Sequence, residues 1–491
     1  RLALAGSPDG RDSIDHDLAA AYLRLAGGVG KNESNPFTDE KSVPEAHTLI
    51  AAGFRPEYPP QGNRVFPYSS LVVHRRDGWM ATAMGHSRYL WATESYLGAN
   101  HYGRYLNHGH LQLLTSGKPV SNAGSGFRQE GWDWNHFPGT TAAELPMHQL
   151  KADIRNVDEN SGFEEMLLSD ESFAGGASLE GTNGVYAMKL HEHDKYNGSL
   201  RARKSFFFFD NRIIALGSDI RSSLAEREVH TTLFQVDATL ANVVPEIENK
   251  PIHPLPFQKT IKKRSAALSD GLGNYFFIRD AEIGFRRSVQ HSLHEETDRP
   301  TQHPFTLAYI NHGRQASLDD SYEYFIAVQP ASKDVQTLHR DFNRSGLYRI
   351  LAHDSLLHAV HDYASNTSAF VFFEAGKASG IVREVSHPCI VMVRDAGSNE
   401  LVLSVADPDL RFYQGPADEE YDASGKRIER SVYSRSWINS PSGESCLTLV
   451  LKGRWKFSDS DYFSIEEQND ETTTVIVKTQ HGLSREIRLS R

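Results

Sequence analysis

The chain has 491 residues, 39% of them hydrophobic, 23% charged and 10% aromatic, the composition of folded globular domains rather than of a disordered chain. That length exceeds what a single core organises and predicts two or three domains. A formal net charge of −11 argues against nucleic-acid binding and requires any polyanionic ligand to meet a local basic cleft.

No apolar run approaches the roughly 20 residues that cross a bilayer, so no membrane partner is expected. Cys389 and Cys446 are the only cysteines; one bridge and two free thiols both remain open. The chain begins Arg1-Leu2, without an initiator methionine or a signal peptide, and reads as a processed product or a fragment.

In chain order, Ser13-Ile14-Asp15-His16-Asp17 offers capping residues, and Leu18, Tyr22, Leu23 and Leu25 follow near helical spacing, which predicts one helix. No helical partner is expected after it, so its neighbours are expected upstream of Arg1. From about residue 65 the texture is β. Short runs such as Leu71-Val72-Val73, Gly184-Val185-Tyr186-Ala187-Met188 and Ser205-Phe206-Phe207-Phe208-Phe209 alternate with turn formers. Asp210-Asn211 between two apolar runs predicts a hairpin. Many close strands without intervening helices predict a large antiparallel sandwich. A boundary is expected between about 335 and 370: residues 334–357 look helical, and β texture then resumes at Ala369-Phe370-Val371-Phe372-Phe373 as a second, smaller β domain.

Several clusters can carry chemistry. Residues 91–105 hold Glu94, Asn100, His101, Arg104 and several aromatics; aromatic faces stack on sugar rings while the polar groups orient hydroxyls and carboxylates. An ordinary loop with surface tyrosines fits the composition equally well. Residues 129–141 set Trp132 and Trp134 around Asp133, either a carbohydrate platform or a turn locked by buried indoles. The glycines of residues 172–181 predict close backbone packing. His191-Glu192-His193-Asp194 is a weak metal signal, because neighbours along a strand point to opposite faces. Asp319 and Asp320 fit a solvated turn better than a calcium site. The basic runs at 74–76, 201–204 and 262–264 each could face a sulfated polymer, but such runs are usually solvated faces.

The order and spacing of residues 91–105, 129–141, 172–181, 202–205, 231–235 and 321–324 resemble the chondroitin sulfate ABC lyases, within the polysaccharide lyase family (family eight) that includes chondroitin AC, hyaluronate and xanthan lyases. The most specific segments are Tyr102-Gly103-Arg104-Tyr105 and Glu130-Gly131-Trp132-Asp133-Trp134-Asn135. The resemblance implies a mainly β fold: the end of a helical toroid over residues 1–45, a large antiparallel β super-sandwich over 46–350, and a smaller C-terminal β domain over 351–491. It implies β-elimination at a hexuronate. There a base takes the C5 proton, the carboxylate is neutralised, and an acid assists departure of the C4 oxygen.

A His, a Tyr, an Arg and a Glu do this work in the family. The His-Glu-Gly-Asn-Tyr-type segment that carries the first two is not found in this chain. Ser7 stands where the Arg is expected, with Arg11 as a candidate replacement, and the Glu matches Glu94. The family's Asn three residues on is Leu97 here; Asn100 is the nearest amide. Glu94 and Arg11 are therefore the candidate catalytic residues, and Asn100, Arg104, Trp134 and Asn135 the candidate substrate-binding residues. The implied partners are an anionic polysaccharide and an upstream helical catalytic segment, in a secreted or periplasmic setting. No cofactor is required; a structural divalent cation is compatible with the sequence but has no assigned ligands. A non-catalytic carbohydrate-binding sandwich is the alternative. A glycosidase ranks last, because Glu94 has no evident carboxylate partner.

Overall fold

The computed structural model describes residues 14–26, 42–117, 120–314, 320–397, 399–413, 415, 418–458 and 460–491. Ser7, Arg11 and Asp319 lie outside the described residues. The expected first helix spans His16–Leu25, and Asp15 caps it by accepting the Leu18 N–H at 2.9 Å. It is not a lone helix, contrary to expectation. A second helix, Ser42–Ala51, follows, and Ala19 and Leu23 pack on Ala46 and Leu49. Pro44 masks this helix in the sequence, yet proline is tolerated in a first helical turn.

Beyond the helices, strands dominate, and all pairings between them are antiparallel. A four-stranded sheet (Gly62–Phe66, Leu71–Arg76, Trp79–Met84, His110–Leu114) faces a twelve-stranded one. A six-stranded sheet, from Tyr348–His353 to Arg485–Ser490, backs the twelve-stranded sheet, and a five-stranded sheet closes the stack. The twelve-stranded sheet turns about one strand, Asn274–Leu293. Its first part pairs with Asp320–Val328 and its later part with Pro300–Arg314.

This layering explains the uniformly apolar runs. Phe206 and Phe208 join the core under the four-stranded sheet, while Phe207 and Phe209 join the core on the opposite face. A strand buried on both faces has no polar side to alternate with. The Asp210-Asn211 turn closes the predicted hairpin, joining Phe209 to Arg212. The glycine-rich run forms the strand Ala174–Leu179, in which a Cβ on Gly176 would lie 2.4 Å from the Val185 carbonyl oxygen. Residues 334–357 are helical only over Val335–Asn343. Ser345, at φ 53°, ends the helix in the left-handed region, and Tyr348–His353 is a strand paired with Leu357–Asp362. Among the described residues, no helix is long and apolar enough to cross a membrane.

Candidate active site

The loop that carries Glu94 is built by its own side chains. A tight turn pairs Tyr96 with Ala99 through backbone bonds of 3.0 and 3.2 Å. Asn100 sits at φ 56°, a conformation that Asn tolerates better than most residues. Its amide donates to Thr93 Oγ1 at 2.8 Å and to the Glu94 carbonyl at 2.9 Å, and the buried Ser95 hydroxyl donates to the Asn100 carbonyl at 2.7 Å. The backbone of Glu94 is thus held from both sides while its carboxylate stays exposed. The Tyr96 hydroxyl donates to that carboxylate, and this hydrogen bond raises the Tyr96 pKa to about 12. Gly103 is required behind the loop, since a Cβ there would stand 2.2 Å from Asn100 Oδ1.

A second layer is gathered by Asp298. One of its oxygens accepts the Tyr102 hydroxyl at 2.7 Å and lies 3.0 Å from His101 Nδ1; the other accepts Lys151 Nζ at 2.5 Å. Burial opposes ionisation of this carboxyl, but the hydrogen bonds from Lys151, His101 and Tyr102 outweigh it and hold it at about 2. The His101 N–H also donates to the Glu295 carbonyl at 2.9 Å, and Ala152 N–H to the His101 carbonyl at 2.8 Å. Two distant stretches of chain, residues 151–152 and 295–298, therefore fix one loop. Asp298 and Lys151 were not legible in the sequence, for they lie 197 and 50 residues from His101 with no motif of their own.

The candidate substrate-binding residues divide. Asn100 adjoins Glu94, where it orders the loop. Arg104 is buried; its guanidinium donates to the Gln149 carbonyl at 2.6 Å and covers the Tyr196 ring at 3.3 Å. Trp134 is 3% exposed and donates its indole N–H to the Leu293 carbonyl at 2.9 Å. The Asn135 side chain is spent on Asp133 and on both backbone groups of Leu145. Residues 129–141 thus form a turn locked by buried indoles rather than an exposed sugar platform. In this structure Arg104, Trp134 and Asn135 are buried behind the loop; the Trp134 indole N–H and the Asn135 amide are bound within the protein, while Arg104 Nε has no hydrogen-bond partner among the described residues.

The basic runs also resolve into structure. Lys204 is fully buried, donating to the Gly139 carbonyl and Thr141 Oγ1 at 2.7 and 2.6 Å. Lys262 and Lys263 pair with Glu282 and Glu248. Within the run 191–194, His191 binds Asp170 and the Gly198 carbonyl, Asp194 binds Arg427, and Glu192 is buried without a hydrogen-bond partner among the described residues. They do not converge as metal ligands.

Comparison with known proteins gives this geometry a context. The chondroitin sulfate ABC exolyase of Bacteroides thetaiotaomicron is 40% identical over 100% of this chain and 48% of its own length. That of Proteus vulgaris is 37% identical over 93% of this chain and 43% of its own. The chain thus spans about half the length of the curated relatives it matches. Among solved structures, Paenibacillus xanthan lyase superposes with a TM-score of 0.73 at 17% identity, covering 100% of this chain and 43% of that one. The Streptomyces coelicolor A3 chondroitin AC lyase superposes at 0.72 and 18% identity, covering 100% and 57%; at such identities the likeness concerns fold alone. The profile of the polysaccharide lyase family 8 super-sandwich domain matches residues 61–339, and that of the family's C-terminal β-sandwich domain matches residues 349–410. With two domain profiles in tandem, the first matching residues 61–339, and 40% and 37% identity over 100% and 93% of this chain, the chain belongs to polysaccharide lyase family 8.

Proposed function

We propose that this chain is the sandwich portion of a glycosaminoglycan lyase that cleaves hexosaminide–uronate bonds of chondroitin and dermatan sulfate by β-elimination, releasing unsaturated products. The observation that carries this reading is the 40% identity to a chondroitin sulfate ABC exolyase along the whole chain. Exolytic action is favoured, because the two exolyases are 40% and 37% identical and the Proteus vulgaris endolyase 26%. The proton acceptor and donor come from an upstream helical segment, which packs over the Glu94 face, and the anionic polymer lies between the two. A secreted or periplasmic location fits a substrate of that size.

Glu94 is a positioning residue in this reading. Its exposed carboxylate sits on a backbone fixed by Asn100 and Ser95, ready to orient a cationic or hydroxyl group of the opposing helical segment. A fixed carboxylate of this kind acts mainly in the transition state. The test is Glu94→Gln in the full polypeptide with its upstream segment, following the ultraviolet absorbance of the unsaturated uronate. Turnover is expected to fall by roughly 100-fold, with KM and the melting curve little changed. Undiminished turnover would overturn the assignment, and activity on hyaluronan alone would overturn the substrate class.

A further inference from the structure

Away from the Glu94 loop, two carboxylates and a buried imidazole converge: Asn311 Nδ2 donates to Glu228 Oε2 at 3.4 Å, while one imidazole nitrogen has no hydrogen-bond partner among the described residues. Glu144 directly follows the strand Thr141–Ala143, and Glu228 and His230 lie on the paired strand Glu228–Asp237. The Glu144 N–H donates to the Glu228 carbonyl at 2.8 Å, so the two glutamates continue the ladder opposite each other. Like charges directly opposed across strands are destabilising. Glu228 and His230 are two residues apart on one strand and share a face. One donor atom from each of the three lies within 4.8 Å of the other two, the one such group found among the described residues.

His230 makes the arrangement informative. It is 3% exposed, and its ring is held between Tyr309, centroids 4.1 Å apart, and His136 at 5.5 Å. It cannot swing away. Its Nε2 lies 3.4 Å from Glu228 Oε2 and its Nδ1 3.5 Å from Glu144 Oε2. Nδ1 has no hydrogen-bond partner among the described residues. A neutral imidazole carries a single N–H. One of its nitrogens therefore turns a lone pair toward a carboxylate oxygen. Acceptor faces acceptor, in a place where an unpaired buried group is costly.

We propose that Glu144, Glu228 and His230 form a binding site for a divalent transition-metal ion, with Zn2+ as its ligand. A dication between the imidazole and the carboxylates satisfies the orphaned lone pair and cancels the repulsion of the glutamates. The imidazole donor selects Zn2+ over Ca2+ and Mg2+, which prefer all-oxygen shells. Three protein donors leave the fourth tetrahedral position to water. The carboxylates are 41% and 40% exposed, so an ion enters from solvent. Once bound it clamps the two strands together. Through His136, which contacts both the His230 ring and Thr232 Oγ1, it also stiffens the turn that carries Asp133 and Asn135. The site does not depend on the lyase reading.

The experiment is calorimetric titration of the chelator-stripped protein with ZnCl2, repeated with CaCl2, and with CoCl2 followed by visible absorption. The expected result is one equivalent of Zn2+ bound, a melting point raised by several degrees, and Co2+ bands of a four-coordinate nitrogen–oxygen site. Glu144→Gln and Glu228→Gln, both half-exposed and expected to fold, should each weaken Zn2+ by at least about tenfold. No Zn2+ binding by the wild-type protein overturns the site, as does binding that both variants retain, since such an ion is adventitious. Ca2+ held as tightly as Zn2+ overturns the choice of metal.

Discussion

Replacing Glu192 by Gln tests whether a carboxyl without partners is neutral in the folded protein. Glu192 follows the strand Asn183–His191, is 3% exposed, and neither of its oxygens has a hydrogen-bond partner among the described residues. It lines a small cavity with Arg104, His108 and Tyr196. Burial pushes its pKa from 4.5 to about 8, with the Arg104 guanidinium pulling the other way. Between those values the unfolded chain releases a proton that the folded chain keeps, so stability falls as pH rises from 4.5 to 8 and is level outside that window. At about 1.4 kcal/mol per pH unit the full loss is about 5 kcal/mol, and water in the cavity would reduce it to about 3 kcal/mol. For a chain of 491 residues the unfolding entropy is about 1 kcal/mol per degree. Glu192→Gln should therefore melt with the wild type at pH 4.5 and about 3–5 °C above it at pH 8.5, measured by scanning calorimetry across that range. A variant that melts lower at pH 8.5, or a gap that does not change with pH, would refute the reasoning, because the carboxyl would then be ionised and paired.

Gly103→Ala puts a methyl group 2.2 Å from Asn100 Oδ1 and should displace Asn100 from Thr93 and the Glu94 carbonyl. Cleavage by limited proteolysis within residues 94–100 should then quicken, with the melting point lower by about 2 °C; unaltered cleavage would show that the loop holds without Asn100. Cys389 is buried and Cys446 exposed, both as free thiols. Ellman's reagent should therefore label one thiol in the native protein and the second only after denaturation, whereas two rapid labels would contradict the packing around Cys389.

By itself the sequence determined the β architecture, because strand periodicity and turn chemistry are local. The run Phe206–Phe209, the Asp210-Asn211 hairpin and the glycines of 172–181 each carry their structure in neighbouring residues. It also singled out Glu94 and Asn100, which lie in one loop and interact with each other. It misjudged the second helix, since Pro44 reads as a breaker when helical phase is unknown. Only the tertiary structure decided what Arg104, Trp134 and Asn135 do. Their partners are the backbone of residues 149, 293 and 145, and whether an aromatic or basic side chain meets solvent or a carbonyl depends on which distant segment covers it. The same holds for Asp298, which joins His101, Tyr102 and Lys151, and for His230, set between Glu144 and Glu228 by strand register. A hydrogen bond or an ion site is made by positions in space, and side-chain spacing along the chain encodes those positions only within one element.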